Sequence, residues 1–268
     1  MQRWKKLGRI FQVAGDAPWM MTHAAVPTAL VLDAQTVRVY FGTRNASKQA
    51  SVGFFDFDPL NPTEILGRSE SACLGPGDLG MFDDSGVLPS WVMRRNDRIW
   101  LYYIGWNLGT TVPFRNFTGL AESSDGGKTF TRFSPAPVAD RDRHDPLFFT
   151  NPCWLQDGPV WKVWYLSAVR WEAQTQGPPK HYYHIKQDES SDGVTWRRTP
   201  SVAIDFQYPG EFAISRPCVV REGGLYHMWY SYRSGPRGEN YRIGYAASVD
   251  GKKWDRQDEQ VGLDVSST

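Results

Sequence analysis

Leu88-Pro89-Ser-Trp-Val-Met93, then Ile99-Trp-Leu-Tyr-Tyr-Ile104, then Thr118-Gly-Leu-Ala-Glu122, then Ser123-Ser-Asp125-Gly-Gly-Lys-Thr-Phe130 is the stretch that decides the fold. It contains three short apolar or aromatic runs and an Asp-Gly turn, with no amphipathic helix between them. Asp-Gly between strands marks a hairpin, because that turn needs positive φ. The aromatic residue closing the turn opens a fourth strand.

The same unit recurs three times along the chain. Its proline falls at Pro27, Pro89, Pro152 and Pro217, and its second-strand aromatic at Tyr40, Tyr102, Trp164 and Trp229. The Asp-Gly turn recurs in Ser191-Asp192-Gly-Val-Thr-Trp196 and Ser248-Val-Asp250-Gly-Lys-Lys-Trp254. Four antiparallel strands in a repeated unit of about 60 residues make a propeller blade. The spacing therefore predicts an all-β, single-domain β-propeller over 1–268, with units at about 23–85, 86–148, 149–212 and 213–260. Trp4-Lys-Lys-Leu-Gly-Arg-Ile-Phe11 resembles a fourth strand, so a strand at about 3–13 is expected to close the ring. That strand needs three partners which the fourth unit does not supply. The expected plan is five-bladed with an incomplete last blade, and a four-bladed ring is the alternative. An incomplete blade leaves open strand edges and predicts self-association.

Composition narrows the function. Lys plus Arg number 30 and Asp plus Glu 29, for a net charge of +1. Nucleic acid and anionic membranes select basic surfaces, so neither is expected as a partner. No run approaches the roughly 18 apolar residues of a membrane span. The N-terminal residues lack the apolar core of a signal peptide, and the three cysteines (Cys73, Cys153, Cys218) are an odd number. Reduced thiols and a cytoplasmic location are the expectation. Twelve Trp and 12 Tyr suit sheet surfaces and sugar-stacking sites.

Propeller topology gathers the loops entering first strands, and those leaving second strands, at one mouth of a central channel. The Asp-Gly turns fall on the opposite face, as structural turn-formers. The entry loops carry His23, Asp83-Asp84, Asp145, Glu211 and Arg216; the second-strand exits carry Arg44, Trp106-Asn107, Arg170-Trp171 and Tyr232-Arg233. Indoles stack on sugar rings, charged groups bind hydroxyls, and two carboxylates run glycosidic chemistry. Asp84 and Glu211 are the expected acid and base or nucleophile, with Asp145 tuning them. His23, Arg44, Asp83, Trp106, Asn107, Arg170, Trp171, Arg216, Tyr232 and Arg233 are the expected sugar contacts. The arginines favour an anionic sugar. No zinc spacing, Walker loop or dinucleotide fingerprint occurs, so neither metal nor cofactor is expected.

His23-Ala-Ala-Val-Pro27, Phe82-Asp-Asp-Ser-Gly-Val-Leu-Pro89, Ile214-Ser-Arg-Pro217 and Met228-Trp-Tyr-Ser-Tyr232 resemble the five-bladed glycosidase-type propellers, glycoside hydrolase families 32, 43, 62, 68 and 130. The likeness is greatest to bacterial glycosidase-like propeller proteins without a settled activity. It implies a glycosidase, phosphorylase or transferase, with a non-catalytic glycan-binding module or a scaffold completed by a partner chain as alternatives. Family 43 places its base and helper Asp directly before the repeat proline. Here those places hold Val26, Leu88, Asn151 and Arg216, none acidic.

Overall fold

The computed structural model describes residues 4–196, 198–234 and 240–265. Sixteen strands run in four consecutive sets of four among these residues. They are β1 (Thr22–Val31), β2 (Val37–Arg44), β3 (Ala50–Asp58) and β4 (Asn61–Arg68); then β5 (Gly86–Arg95), β6 (Arg98–Leu108), β7 (Phe114–Ser123) and β8 (Thr131–Arg132). The third set is β9 (Phe149–Asp157), β10 (Val160–Glu172), β11 (Lys180–Ser190) and β12 (Val202–Ile204). The fourth is β13 (Glu211–Glu222), β14 (Leu225–Ser234), β15 (Arg242–Ser248) and β16 (Asp255–Arg256). Within each set every strand pairs antiparallel with the next. No α-helix occurs among the described residues, and no helix is long and apolar enough to cross a membrane.

The chain divides into two compact units, Leu7–Ala139 and Asp140–Thr268 with Met1–Lys6. Each contains two sets of strands. Within a unit the sets meet through one parallel residue pair, Ala50↔Gly86 in the first and Tyr183↔Ala213 in the second. The same latch fastens both pairs of sets. In one unit Tyr40 donates its hydroxyl to Gly127 O at 2.8 Å, and in the other Trp164 donates Nε1–H to Gly251 O at 3.1 Å. Both acceptors belong to Asp-Gly turns.

Those turns are built from within. Ser123 Oγ accepts the amide of Gly127, and Asp125 Oδ1 accepts the amides of Lys128 and Thr129 at 2.9 and 3.1 Å. Ser190 with Asp192, and Ser248 with Asp250, repeat the arrangement. Side-chain oxygens thus satisfy amides that the tight turn removes from the ladder.

The repeat proline is a bulge. Pairing slips between Ala25 and Thr28, Pro89 and Trp91, and Ser215 and Cys218, and β9 slips where it passes Asn151-Pro152. Proline offers no amide to the ladder, so the first strand of each set accommodates it by an irregular register. The preceding residues Val26, Asn151 and Arg216 have φ of 48°, 55° and 56°.

No strand forms at about 3–13, and residue 3 lies outside the described residues. Trp4 instead donates Nε1–H to Val261 O at 2.6 Å, and Lys6 Nζ reaches Asp264 O at 2.5 Å. In the other unit, Phe11 stacks on Phe55 with ring centroids 4.4 Å apart, and covers Phe41 at 5.0 Å. The segment binds through side chains, as an apolar cover for β2 and β3.

Candidate functional site

In the Leu7–Ala139 unit a turn links Met81 to Gly86, with Asp84 N–H donating to Met81 O and Gly86 N–H to Asp83 O. It sends two adjacent carboxylates in opposite directions. Asp83 is fully buried: Arg132 Nε donates to it at 2.9 Å and Tyr103 Oη at 3.1 Å. The glycine-rich segment Gly75–Gly80 makes room for it, since a Cβ on Gly77 would sit 2.1 Å from Asp83 Oδ1. Asp83 is therefore interior structure, a correction to its expected sugar contact.

Asp84 turns outward. It accepts hydrogen bonds from Asn107 Nδ2 at 2.6 Å, Gly80 N–H at 3.0 Å and Ser85 Oγ at 3.0 Å. Partial burial opposes its charge, but these donors outweigh it and hold the carboxyl below its usual range. Asn107 also donates to Met81 O at 2.9 Å, so it positions Asp84 and anchors the turn.

Asp84 lines a cleft of about 670 Å³ with Arg44, Trp106, Lys48, Leu79 and Leu108. Arg44 ends β2, and its Cζ lies 5.7 Å from the Trp106 ring centroid. Trp106 lies near the end of β6; its buried Nε1 has no acceptor among the described residues. The sequence reading missed Lys48, Leu79 and Leu108. Lys48 sits in the turn between β2 and β3 with φ of 64°, and Leu79 interrupts a glycine-rich loop with an exposed apolar side chain. His23 lies within β1, exposed, with Nδ1 2.8 Å from Thr22 Oγ1, and is not among the lining residues.

In the Asp140–Thr268 unit the expected catalytic acids are locked in ion pairs. Asp145 is fully buried against Lys186 Nζ at 2.9 Å, Ser167 Oγ at 2.5 Å and Tyr165 Oη at 3.3 Å. Glu211 opens β13 rather than lying in a loop. Arg256 donates to it from Nη2 at 2.7 Å and Nη1 at 3.0 Å, and the Gln207 amide adds a bond at 2.7 Å. Arg256 Nη2 also reaches Asp258 at 2.7 Å, which accepts from Tyr230 Oη at 2.5 Å. Tyr103, Tyr165 and Tyr230 each directly follow a repeat aromatic, and burial raises each phenol. An acid, a cation and this tyrosine recur as a buried clamp. A carboxylate so enclosed offers a substrate neither a proton nor a lone pair, so Asp145 and Glu211 are corrected from catalytic to structural groups.

Of the remaining expected contacts, Arg170, Trp171 and Arg233 join one aromatic network in that unit, through Tyr182 against Phe212 and through His181 and Tyr183 to Tyr241. Arg170 stacks on Tyr182 with Cζ 3.7 Å from the ring centroid, and lies 3.4 Å from Glu172. Trp171 meets Phe148 at 5.8 Å and His181 at 5.4 Å. Arg233 lies over Phe212 at 4.8 Å and Tyr241 at 5.2 Å. Tyr232 is buried beside Tyr230 and belongs to the core, which corrects its expected role. Arg216 is half-buried, and desolvation pushes its guanidinium down to about 10, leaving it charged at neutral pH. Among the described residues no cluster of His, Cys, Asp and Glu is arranged to hold a metal.

Known structures share this fold. A thermostable family-43 glycoside hydrolase matches with a TM-score of 0.63 and 18% identity, over 87% of this chain and 72% of that one. An endo-arabinase from Bacteroides thetaiotaomicron matches at 0.60 and 14%, over 94% and 84%. An α-L-arabinanase from Penicillium chrysogenum matches at 0.58 and 16%, over 92% and 69%. The chain is thus a β-propeller. No family model matches the sequence. Uncharacterised proteins of two Mycobacterium tuberculosis strains are 38% identical over 263 residues, which is 98% of this chain and 85% of each relative, and the chain belongs to their family.

Proposed function

We propose that this chain is a glycoside-hydrolase-like protein that binds a carbohydrate in the cleft between β2, the Asp83–Asp84 turn and the end of β6. The observation that carries the reading is the joint presence of Asp84, Arg44 and Trp106 in one cleft. Asp84 remains an acceptor for sugar hydroxyls across neutral and mildly acidic pH. Trp106 offers an indole ring beside a guanidinium. Such a combination of polar groups around an aromatic body suits a sugar. The propeller fold shared with glycoside hydrolases supports the same class of ligand. Arg44 and Lys48 favour an anionic sugar, and the three free cysteines support a cytoplasmic setting.

A second reading, cleavage of a glycosidic bond, is favoured by the depressed carboxyl of Asp84, which suits a base or nucleophile. Glycoside hydrolysis ordinarily needs a second carboxylate. Among the described residues, Asp84 is the one carboxylate lining this cleft. Binding is therefore the reading the geometry supports best.

A glycan array followed by calorimetry tests it. Binding of at least one glycan, lost in Trp106→Ala and weakened in Asp84→Asn, is the expected result. No binding by a folded protein to any glycan defeats the proposal. Chromatography of the bound glycan after long incubation separates binder from enzyme: released product that disappears in Asp84→Asn establishes the second reading.

A further inference from the structure

Two leucines flank the polar groups of this cleft in an unusual state for a monomer surface: Leu79 is 99% exposed and Leu108 is 74% exposed. Single exposed leucines are ordinary, but here two border one concavity whose wall also includes Ile104, Pro113 and Phe114. A bare sugar gains little from such a rim, because its hydroxyls need hydrogen-bonding partners that leucine does not supply.

Charge adds an independent constraint. Arg44 and Lys48 line the cleft, and among the described residues neither forms an ion pair with a carboxylate. Asp84, kept ionised by Asn107, Gly80 and Ser85, offsets one of these two charges, and the cleft retains a positive excess at Arg44 and Lys48. The cleft therefore combines a positive end, an aromatic ring and an apolar rim.

From this juxtaposition we infer that the ligand is an amphiphilic glycoside, an anionic sugar carrying an apolar aglycone or acyl substituent, with Arg44 and Lys48 at the charged part and Leu79 and Leu108 along the apolar part. The inference rests on the carbohydrate-binding reading and specifies its substrate class.

The anionic aryl dye 8-anilinonaphthalene-1-sulfonate carries the apolar and charged features without a sugar, so it probes them separately. The wild-type protein is expected to bind it saturably at one site. The Leu79→Ser/Leu108→Ser double variant and Arg44→Gln are each expected to weaken it about tenfold. Absence of saturable binding, or binding indifferent to both variants, overturns the inference. Calorimetry with matched pairs of free sugars and their octyl or 4-nitrophenyl glycosides, uronates included, forms the second arm. A preference for the substituted member, abolished in the double variant, supports it. Sugar binding with no such preference overturns this inference and leaves the Proposed function standing. Dye binding without any sugar binding defeats the Proposed function and this inference with it. A dimer in scattering that the leucine double variant dissociates reassigns the rim to a second copy of the chain and also overturns it.

Discussion

Arg256 grips Glu211 with both terminal nitrogens, at 2.7 and 3.0 Å, while one of them also holds Asp258 at 2.7 Å. All three side chains are almost wholly removed from water. The arrangement places the carboxylate that sequence order suggested for catalysis inside the framework. Breaking a buried pair leaves a charge without its counterpart, which costs about 3–5 kcal/mol. Glu211→Gln is thus expected to lower unfolding stability by about 3 kcal/mol in urea titration. Ligand affinity of the folded fraction should stay within about twofold of wild type. A variant of undiminished stability that loses turnover would return Glu211 to catalysis.

Asp84 differs from its neighbour Asp83 in what it faces, and its variant should behave in the opposite way. Asp84→Asn removes a charge from the cleft but keeps a side chain of the same shape. Stability should fall by about 1 kcal/mol or less, the worth of a weakened hydrogen bond. Glycan affinity should fall about tenfold, since hydrogen bonds to charged groups are worth about 1.5–3 kcal/mol. The pH dependence follows from the depressed carboxyl. Its stabilising share is present above the ordinary carboxylate range and is lost as pH falls through the lower folded value. Binding that relies on ionised Asp84 should hold steady from pH 8 to about 4 and weaken below it. A titration near pH 6 in calorimetry would point to another group.

The strands and the Asp-Gly turns were legible because each repeats at nearly constant spacing, so errors in one unit are corrected by the others. The fate of the acids was not. Their cations lie far along the chain: Arg132 is 49 residues beyond Asp83, Lys186 is 41 beyond Asp145 and Arg256 is 45 beyond Glu211. Only the folded sheets bring them together. The N-terminal segment misled for a related reason. β8, β12 and β16 are two or three residues long, so aromatic content alone does not mark an outer strand. Trp4 and Phe11 engage by indole donation and ring stacking instead.

Asp125 supplies a separate acid-dependent element. Burial is the largest single influence and opposes its charge, but Ser123, Thr129 and the backbone amides of Thr129 and Lys128 together outweigh it and hold its carboxyl far below the usual range. A depressed folded value means that the benefit is complete above the unfolded value, near 4, and fades as pH falls through the folded one. Asp125→Ala should therefore destabilise the protein at pH 7, and the gap from wild type should narrow at pH 3 and close further below. Urea unfolding at these pH values measures it. A gap independent of pH would mean that the carboxylate charge contributes nothing.

Gly86 joins the two sets of strands in its unit and also packs against Trp106 of the cleft. Its φ is 143°, and an added Cβ would stand 2.5 Å from Ala50 N and 2.8 Å from Trp106 Nε1. Ala50 is its parallel partner, so the contact leaves no slack. Gly86→Ala is expected to cost about 2–4 kcal/mol, strain and overpacking together. It should also perturb Trp106 fluorescence in the folded protein. A neutral substitution with an unchanged spectrum would show that this approach is looser than the packing implies.

The pre-proline residues offer a test in the stabilising direction. Val26, Asn151 and Arg216 all occupy left-handed backbone beside the bulge, whereas Leu88 does not. For an L-residue this region costs about 1–2 kcal/mol, and a β-branched side chain suffers most, while asparagine tolerates it best. The third set of strands already uses asparagine at this place. Val26→Asn should therefore raise stability by about 1 kcal/mol, the strain relieved minus a small loss of apolar burial. Leu88→Asn, at the one repeat position without positive φ, should lower it, since it exchanges an apolar side chain for an amide without relieving strain. Paired urea unfolding curves decide the matter. If both substitutions destabilise equally, positive φ before the repeat proline carries no strain, and the bulge tolerates valine as readily as asparagine.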